Sequence, residues 1–296
     1  MERYWTIAAA LATLTARRDD HTARPSRRRY LSAFVLTTAA LVGSSALAAP
    51  TARELLDEAR RLNDTTRRWN DLSEHYSIRI VETSGSERTR ELDVRTLRAD
   101  DGEEKTLSVF SEPAEIRGTA FLQFAHRDGD ADQWLYLPEL ERVRQITSRA
   151  KDENFMGTDF SYRDLELIND VLEWNETQAH ATLLRSEASE GGEQHTIQLV
   201  PREREIGYKR LVIVLSTPDF VLRRIDFFGE EDEPVKVLRR EKVETIDGMP
   251  TALHMEMQTS GGGRTIVDVS RVRYNQSLPE SLFTRRSLER GVELSP

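Results

Sequence analysis

From Glu74 onward the apolar residues of this chain recur with a period of two. Tyr76, Ile78 and Ile80 alternate with Ser77 and Arg79, Leu92 and Val94 with Asp93 and Arg95, Leu107 and Val109 with Thr106 and Ser108. Successive side chains of a strand point to opposite faces, so this pattern commits the segment to half-buried sheet. Turn residues separate the runs, first Ser84-Gly85-Ser86 and then Asp100-Asp101-Gly102. Alternation bounded by Gly, Asp and Ser marks hairpins, and connections this short join antiparallel neighbours. Ten more candidate strands follow, at residues 119–124, 133–137, 142–146, 181–185, 195–200, 208–215, 220–228, 235–243, 251–258 and 264–274. Their turns include Glu190-Gly191-Gly192, Thr217-Pro218-Asp219, Ile246-Asp247-Gly248 and Gly261-Gly262-Gly263.

A sheet of more than about ten strands curls or closes. The expected fold is mainly β with a few helices (α+β): a single antiparallel sheet of about ten or more strands that curls or closes. Poor alternation at residues 220–227 suggests a bulge there. One amphipathic helix precedes the sheet. Thr51-Ala52-Arg53-Glu54 reads as a capping box, and Ala52, Leu55, Leu56, Ala59 and Leu62 recur at helical spacing. That single helix is too small to fill the hollow of so large a sheet, which leaves loops or a ligand to do so. Residues 279–294 read as a short helix and tail. No linker rich in Pro, Ser or Gly divides residues 49–296, which read as one domain.

The first 48 residues read as an N-terminal extension and a signal peptide. Arg24, Arg27, Arg28 and Arg29 form a basic region, residues 31–47 carry no charge, and Ala46-Leu47-Ala48 supplies a small-x-small cleavage pattern. Cleavage is expected after Ala48, with release outside the cytoplasm. Residues 26–31 also resemble a twin-arginine signal, and the sequence leaves the export route open. No cysteine follows the apolar run, so a released rather than lipid-anchored protein is expected.

Charge and cysteine usage narrow the partners. The chain has 42 basic and 51 acidic residues; removing residues 1–48, with seven basic and three acidic, leaves 35 against 48, or −13. Such a balance disfavours nucleic acid and anionic lipid surfaces as bulk partners. With no cysteine at all, disulfides, thiolate metal sites and cysteine nucleophiles are excluded. No H-E-x-x-H or G-x-S-x-G pattern occurs. Asp159 and Asp164 form a weak paired-carboxylate candidate in so acidic a chain. The expectation is a monomeric, non-enzymatic protein with no catalytic residue, no metal and no cofactor.

The densest segment is residues 132–167. It reads Trp134-Leu135-Tyr136-Leu137-Pro138 and Arg142-Val143-Arg144, then Lys151, and then Phe155-Met156-Gly157-Thr158-Asp159-Phe160-Ser161-Tyr162-Arg163-Asp164-Leu165. Trp134 and Tyr136 face one side of a strand, Leu135 and Leu137 the other, so both sides are expected to be covered. Phe155, Met156, Phe160 and Tyr162 cluster around Gly157, a permissive position, and flexible Met with flat aromatics suits variable apolar cargo.

This pattern resembles the bacterial outer membrane lipoprotein-sorting family with a LolA/LolB-like fold. The resemblance is specific over these thirty-odd residues and looser elsewhere. It implies an open half-barrel of antiparallel strands wrapped around helices, a cavity for lipid or lipoprotein acyl chains, and periplasmic residence. It also implies, from some relatives, an RND/MMPL-type inner-membrane transporter as partner. The ligand-binding candidates are Trp134, Tyr136, Phe155, Met156, Phe160, Tyr162, Leu253, Met255 and Met257. Arg142 and Arg144 are candidates for headgroup or partner contact, with ion pairing to Asp159 or Asp164 as the plain alternative. The alternative function is a lipid- or lipoprotein-sensing regulatory module on an inner-membrane signalling partner.

Overall fold

A computed structural model of the chain describes residues 49–294 apart from 100–102, 127–128, 203–205 and 293. The signal peptide and cleavage site expected in residues 1–48 lie outside the described residues. Helix α1 (Ala52–Asp64) begins at the capping box read from the sequence. Glu54 N donates to Thr51 Oγ1 at 3.2 Å, and Thr51 N donates to Glu54 Oε2 at 2.8 Å. Two amides left over at the helix start are thereby satisfied. Ala52, Leu55, Leu56 and Ala59 form its buried face.

All thirteen expected strands are present: β1 (Asp71–Val81), β2 (Glu87–Arg98), β3 (Glu104–Glu112), β4 (Ala120–Ala125), β5 (Asp132–Leu137), β6 (Arg142–Gln145), β7 (Ala179–Ser189), β8 (Gly192–Pro201), β9 (Arg210–Thr217), β10 (Leu222–Phe228), β11 (Pro234–Ile246), β12 (Met249–Thr259) and β13 (Arg264–Tyr274). They form one open, curled antiparallel sheet in the order β6-β5-β4-β3-β2-β1-β13-β12-β11-β10-β9-β8-β7. Two meanders therefore meet where the first strand pairs with the last, from Leu72 opposite Tyr274 to Val81 opposite Arg264. The buried Asp71 carboxylate locks this seam by accepting from the amides of Gln276 at 2.7 Å and Ser277 at 2.9 Å. The bulge expected in residues 220–227 appears as a register shift between Leu222 and Arg224.

The connection from β6 to β7 supplies what the sequence reading lacked. It runs through 3-10 turns at Ser148–Asp152 and Phe155–Gly157 into a second helix, α2 (Tyr162–Asp170). The apolar residues of α1 and α2 share one core with Ile78, Val94, Phe121, Ile213, Phe227 and Leu238 of the sheet, whose helix-bearing side is its inner face. The outer face of β3 to β5 has a separate core. There Leu107, Val109, Ala120, Leu122, Trp134 and Tyr136 pack against Phe283, Leu288 and Val292 of the C-terminal segment. That segment consists of a 3-10 turn, Glu280–Leu282, and the short helix α3 (Arg285–Glu289). Among the described residues no helix is long and apolar enough to cross a membrane.

Candidate functional site

The segment that carries the family pattern is tied down residue by residue. Lys151 and Glu166, both almost fully buried, form an ion pair of 2.9 Å. Lys151 also donates to the Ala131 carbonyl at 2.8 Å, and Glu166 accepts from the Ala131 amide at 3.0 Å. Buried charges are tolerable when satisfied in this way. Gly157 adopts φ +77°, where a side chain would be strained. Thr158 Oγ1 donates to the Phe155 carbonyl at 2.7 Å. Thr265 Oγ1 of β13 donates to Asp159 Oδ2 at 2.7 Å. Ser161 and Asp164 form the capping box of α2: Asp164 N donates to Ser161 Oγ at 3.1 Å and Ser161 N to Asp164 Oδ2 at 2.8 Å. Asp164, with no exposed surface, also accepts from Tyr208 Oη at 2.7 Å and pairs with Lys236 Nζ at 2.7 Å. The two aspartates considered as a catalytic pair are thus each engaged with separate structural partners. The segment is a plug, fastened to both halves of the sheet.

Between this plug and the sheet lies a cavity of about 380 Å3. Such a volume falls within the range of small-molecule sites. Ile78, Leu92, Val94, Phe121, Met255 and Val267 supply the sheet wall, and Phe155, Phe160, Leu165 and Ile168 the plug wall. Trp69, Arg98, Glu104 and Glu173 also border it. Arg98 stacks on Trp69 with its guanidinium 4.2 Å from the ring centre and bonds Glu104 at 3.3 Å. Burial raises the Glu104 carboxyl above its usual range, with Arg98 opposing the shift.

A polar group intrudes on this apolar lining: Glu74, Tyr76, Arg240 and Tyr274. Glu74 is buried, and Tyr76 Oη donates to its Oε2 at 3.0 Å. Burial pushes the Glu74 carboxyl up to about 7, against the opposing effects of the Tyr76 bond and the Arg240 charge. Burial likewise raises Tyr76 and Tyr274 and lowers Arg240. Tyr274 and Thr251 share a hydroxyl hydrogen bond of 2.9 Å. Arg240 Nε is sealed from solvent and finds no hydrogen-bond partner among the described residues.

The nine ligand-binding candidates divide. Phe155, Phe160 and Met255 line the cavity. Phe155 and Tyr162 pack edge-on, 5.5 Å apart, within the plug. Met156, Leu253 and Met257 belong to the inner-face core, Met257 with no exposed surface. Trp134 and Tyr136 need correcting, because they lie on the outer face beneath Phe283 and Leu288. Their neighbour Leu135 faces the inner core instead. Arg142 and Arg144 are exposed on β6. Arg144 approaches Glu153 at 3.6 Å, not Asp159 or Asp164. Sequence reading missed Glu74 and Arg240, yet the signal was present. Glu74 is two residues from Tyr76 and four from Ile78, and Arg240 is two from the fully buried Leu238, so strand alternation puts both on the inner face.

An open antiparallel sheet of this size, plugged on one face and keeping a cavity there, is a LolA-like fold. Solved structures with this architecture include a domain described as an outer membrane lipoprotein-sorting protein from Vibrio parahaemolyticus. It is 26% identical, with a TM-score of 0.72 over 80% of this chain and 98% of that one. A DUF1329 family protein from Desulfovibrio piger is 27% identical, with a TM-score of 0.73 over 81% of this chain and 100% of that one. A LolA superfamily protein from Nitrosomonas europaea shares the fold at 19% identity, with a TM-score of 0.60 over 81% of this chain and 100% of that one. No curated protein matches by sequence. A family model described as "Uncharacterized protein" matches residues 102–290, more than half of the chain. The chain belongs to that family.

Proposed function

We propose that residues 49–296 are a periplasmic carrier, released by cleavage near Ala48, that shields lipid or lipoprotein acyl chains and helps transfer them toward the outer membrane. An RND/MMPL-type transporter is the proposed partner, and the exposed Arg142 and Arg144 are its proposed contact. The observation that carries the reading is the apolar cavity of about 380 Å3 between sheet and plug. Each exposed methylene costs about 0.8 kcal/mol in water, so a chain of some sixteen carbons costs on the order of 10 kcal/mol. The apolar side chains of the cavity wall offset part of that penalty, and flexible Met255 at the wall adapts to chains of different shape. The described residues hold no group of three His, Asp or Glu arranged for a metal ion.

The test is native mass spectrometry and lipid extraction of protein isolated from the cell envelope, with uptake of the neutral apolar dye N-phenylnaphthylamine measured in parallel. Co-purifying acyl lipid and saturable dye uptake are expected. A folded protein that carries no lipid and takes up no dye overturns the reading.

A further inference from the structure

Among the arginines that border the cavity, Arg240 stands apart. Arg98 is held by Glu104 and Trp69, and Arg67 donates to the Asp219 carbonyl at 2.5 Å. Arg240 forms no ion pair among the described residues, and its Nε is buried without a hydrogen-bond acceptor. A guanidinium Nε sealed from solvent without an acceptor is unfavourable, and the planar fork fits a carboxylate or phosphate in two-point fashion. Its surroundings fit the same ligand. Arg240 is opposite Met255, which is opposite Val267, which is opposite Ile78, so the arginine stands at one end of an apolar row across four strands. The hydroxyl groups of Tyr76 and Tyr274 are on the same wall. Beside them the β1–β13 ladder shifts register opposite Glu74, where Arg271 has φ +52°. Such bulges re-aim side chains locally.

We propose that Arg240, Tyr76 and Tyr274 form an internal headgroup site for the acid group, carboxylate or phosphate monoester, of a single-chain lipid whose tail lies along Ile78, Val267 and Met255. This rests on the carrier reading and specifies its cargo. Glu74 regulates the same site. Protonated, it adds no charge and offers an O–H donor; ionised, it competes with the ligand for Arg240. The charged and titratable groups facing it are Tyr76 on its own strand, Arg240 from β11, Glu104 from β3 and Tyr274 from β13. Glu104 is held by Arg98, and the carboxyl of Glu74 sits at about 7. Acid ligands therefore bind more weakly as pH rises through neutrality.

The experiment is displacement of N-phenylnaphthylamine from the purified chain by palmitate, hexadecyl phosphate and uncharged monopalmitin. At least one acid is expected to bind about tenfold more tightly than monopalmitin, the equivalent of about 1.4 kcal/mol. Whichever acid shows it identifies the headgroup. Arg240→Gln is expected to erase this preference, so that the acids and monopalmitin displace the dye equally well. Glu74→Gln is expected to keep the preference constant between about pH 6 and about pH 8, where the parent loses it. Equal binding of acids and monopalmitin by the parent, which needs no variant to fold, overturns the headgroup site and leaves the carrier standing. A preference that survives Arg240→Gln also overturns it. Failure to take up either dye or lipid counts against the carrier itself.

Discussion

Strands β3 to β5 carry apolar residues on both faces, and the chain treats the two faces differently. On the outer face Leu107, Leu122, Trp134 and Tyr136 are closed off by the protein's own Phe283, Leu288 and Val292. On the inner face Phe121 looks into a cavity shared with Glu104, Gln123 and the Glu74–Arg240 group. The outer core has its own permanent cover and contributes to stability. The inner wall keeps space, half-buried side chains and buried polar groups, which lower stability and have use only when something else enters. On the proposed carrier function, apolarity alone therefore does not mark the binding face; incomplete coverage together with intruding polar groups does.

Substitutions that separate the two faces test this comparison. The largest effect is expected for Met257→Glu, which puts a carboxylate into a fully buried inner-core position. Loss of several kcal/mol is expected, measured as collapse of the urea midpoint. Phe283→Ala opens the outer core at a residue that is 1% exposed. It is expected to cost about 3–5 kcal/mol, while dye uptake by the protein that remains folded is unchanged. Uptake lost in step with stability would erase the distinction between the faces.

Glu74 gives the next effect, and its sign is fixed by proton binding. The folded carboxyl keeps its proton to about 7, whereas the ordinary value is 4.5. Between those values the native state binds more protons than the unfolded chain, so stability falls as pH rises. The full window amounts to at most ~3 kcal/mol. Urea midpoints at about pH 5 and about pH 8 are expected to differ in the parent and to converge in Glu74→Gln. Met255→Glu is milder, because this half-buried side chain borders open space. A change of about 1 kcal/mol is expected, with dye uptake lost, and full uptake in the folded variant would move the binding wall elsewhere. Smallest is the pair Arg142→Ala and Arg144→Ala on the exposed edge, within about 0.5 kcal/mol of the parent.

Much of this was legible beforehand. Period two is a local signal, so every strand was readable, although β7 extends from Ala179 to Ser189 where residues 181–185 were expected. The capping box at Thr51 was readable for the same reason. Helix α2 was not legible although Ser161-Tyr162-Arg163-Asp164 has the same capping form, because at nine residues it is too short to show a clear helical period. Which face of β5 turns inward was not readable, since Trp134, Leu135 and Tyr136 are all apolar. Only the distant Phe283 and Leu288 settle it. Glu74 and Arg240 were legible by position but not by role, because their neighbourhood depends on β1 meeting β13 across the seam.

That seam also sets an order of events. A chain made from its N-terminus has β1 to β6 complete long before β13 exists, yet β1 hydrogen-bonds to β13 along its whole length. Until the last strand arrives, each meander keeps a bare edge, and the row from Ile78 to Arg240 is interrupted. The hollow is therefore among the last parts of the molecule to be assembled. A chain halted before residue 264 has nearly all of the wall residues and no container.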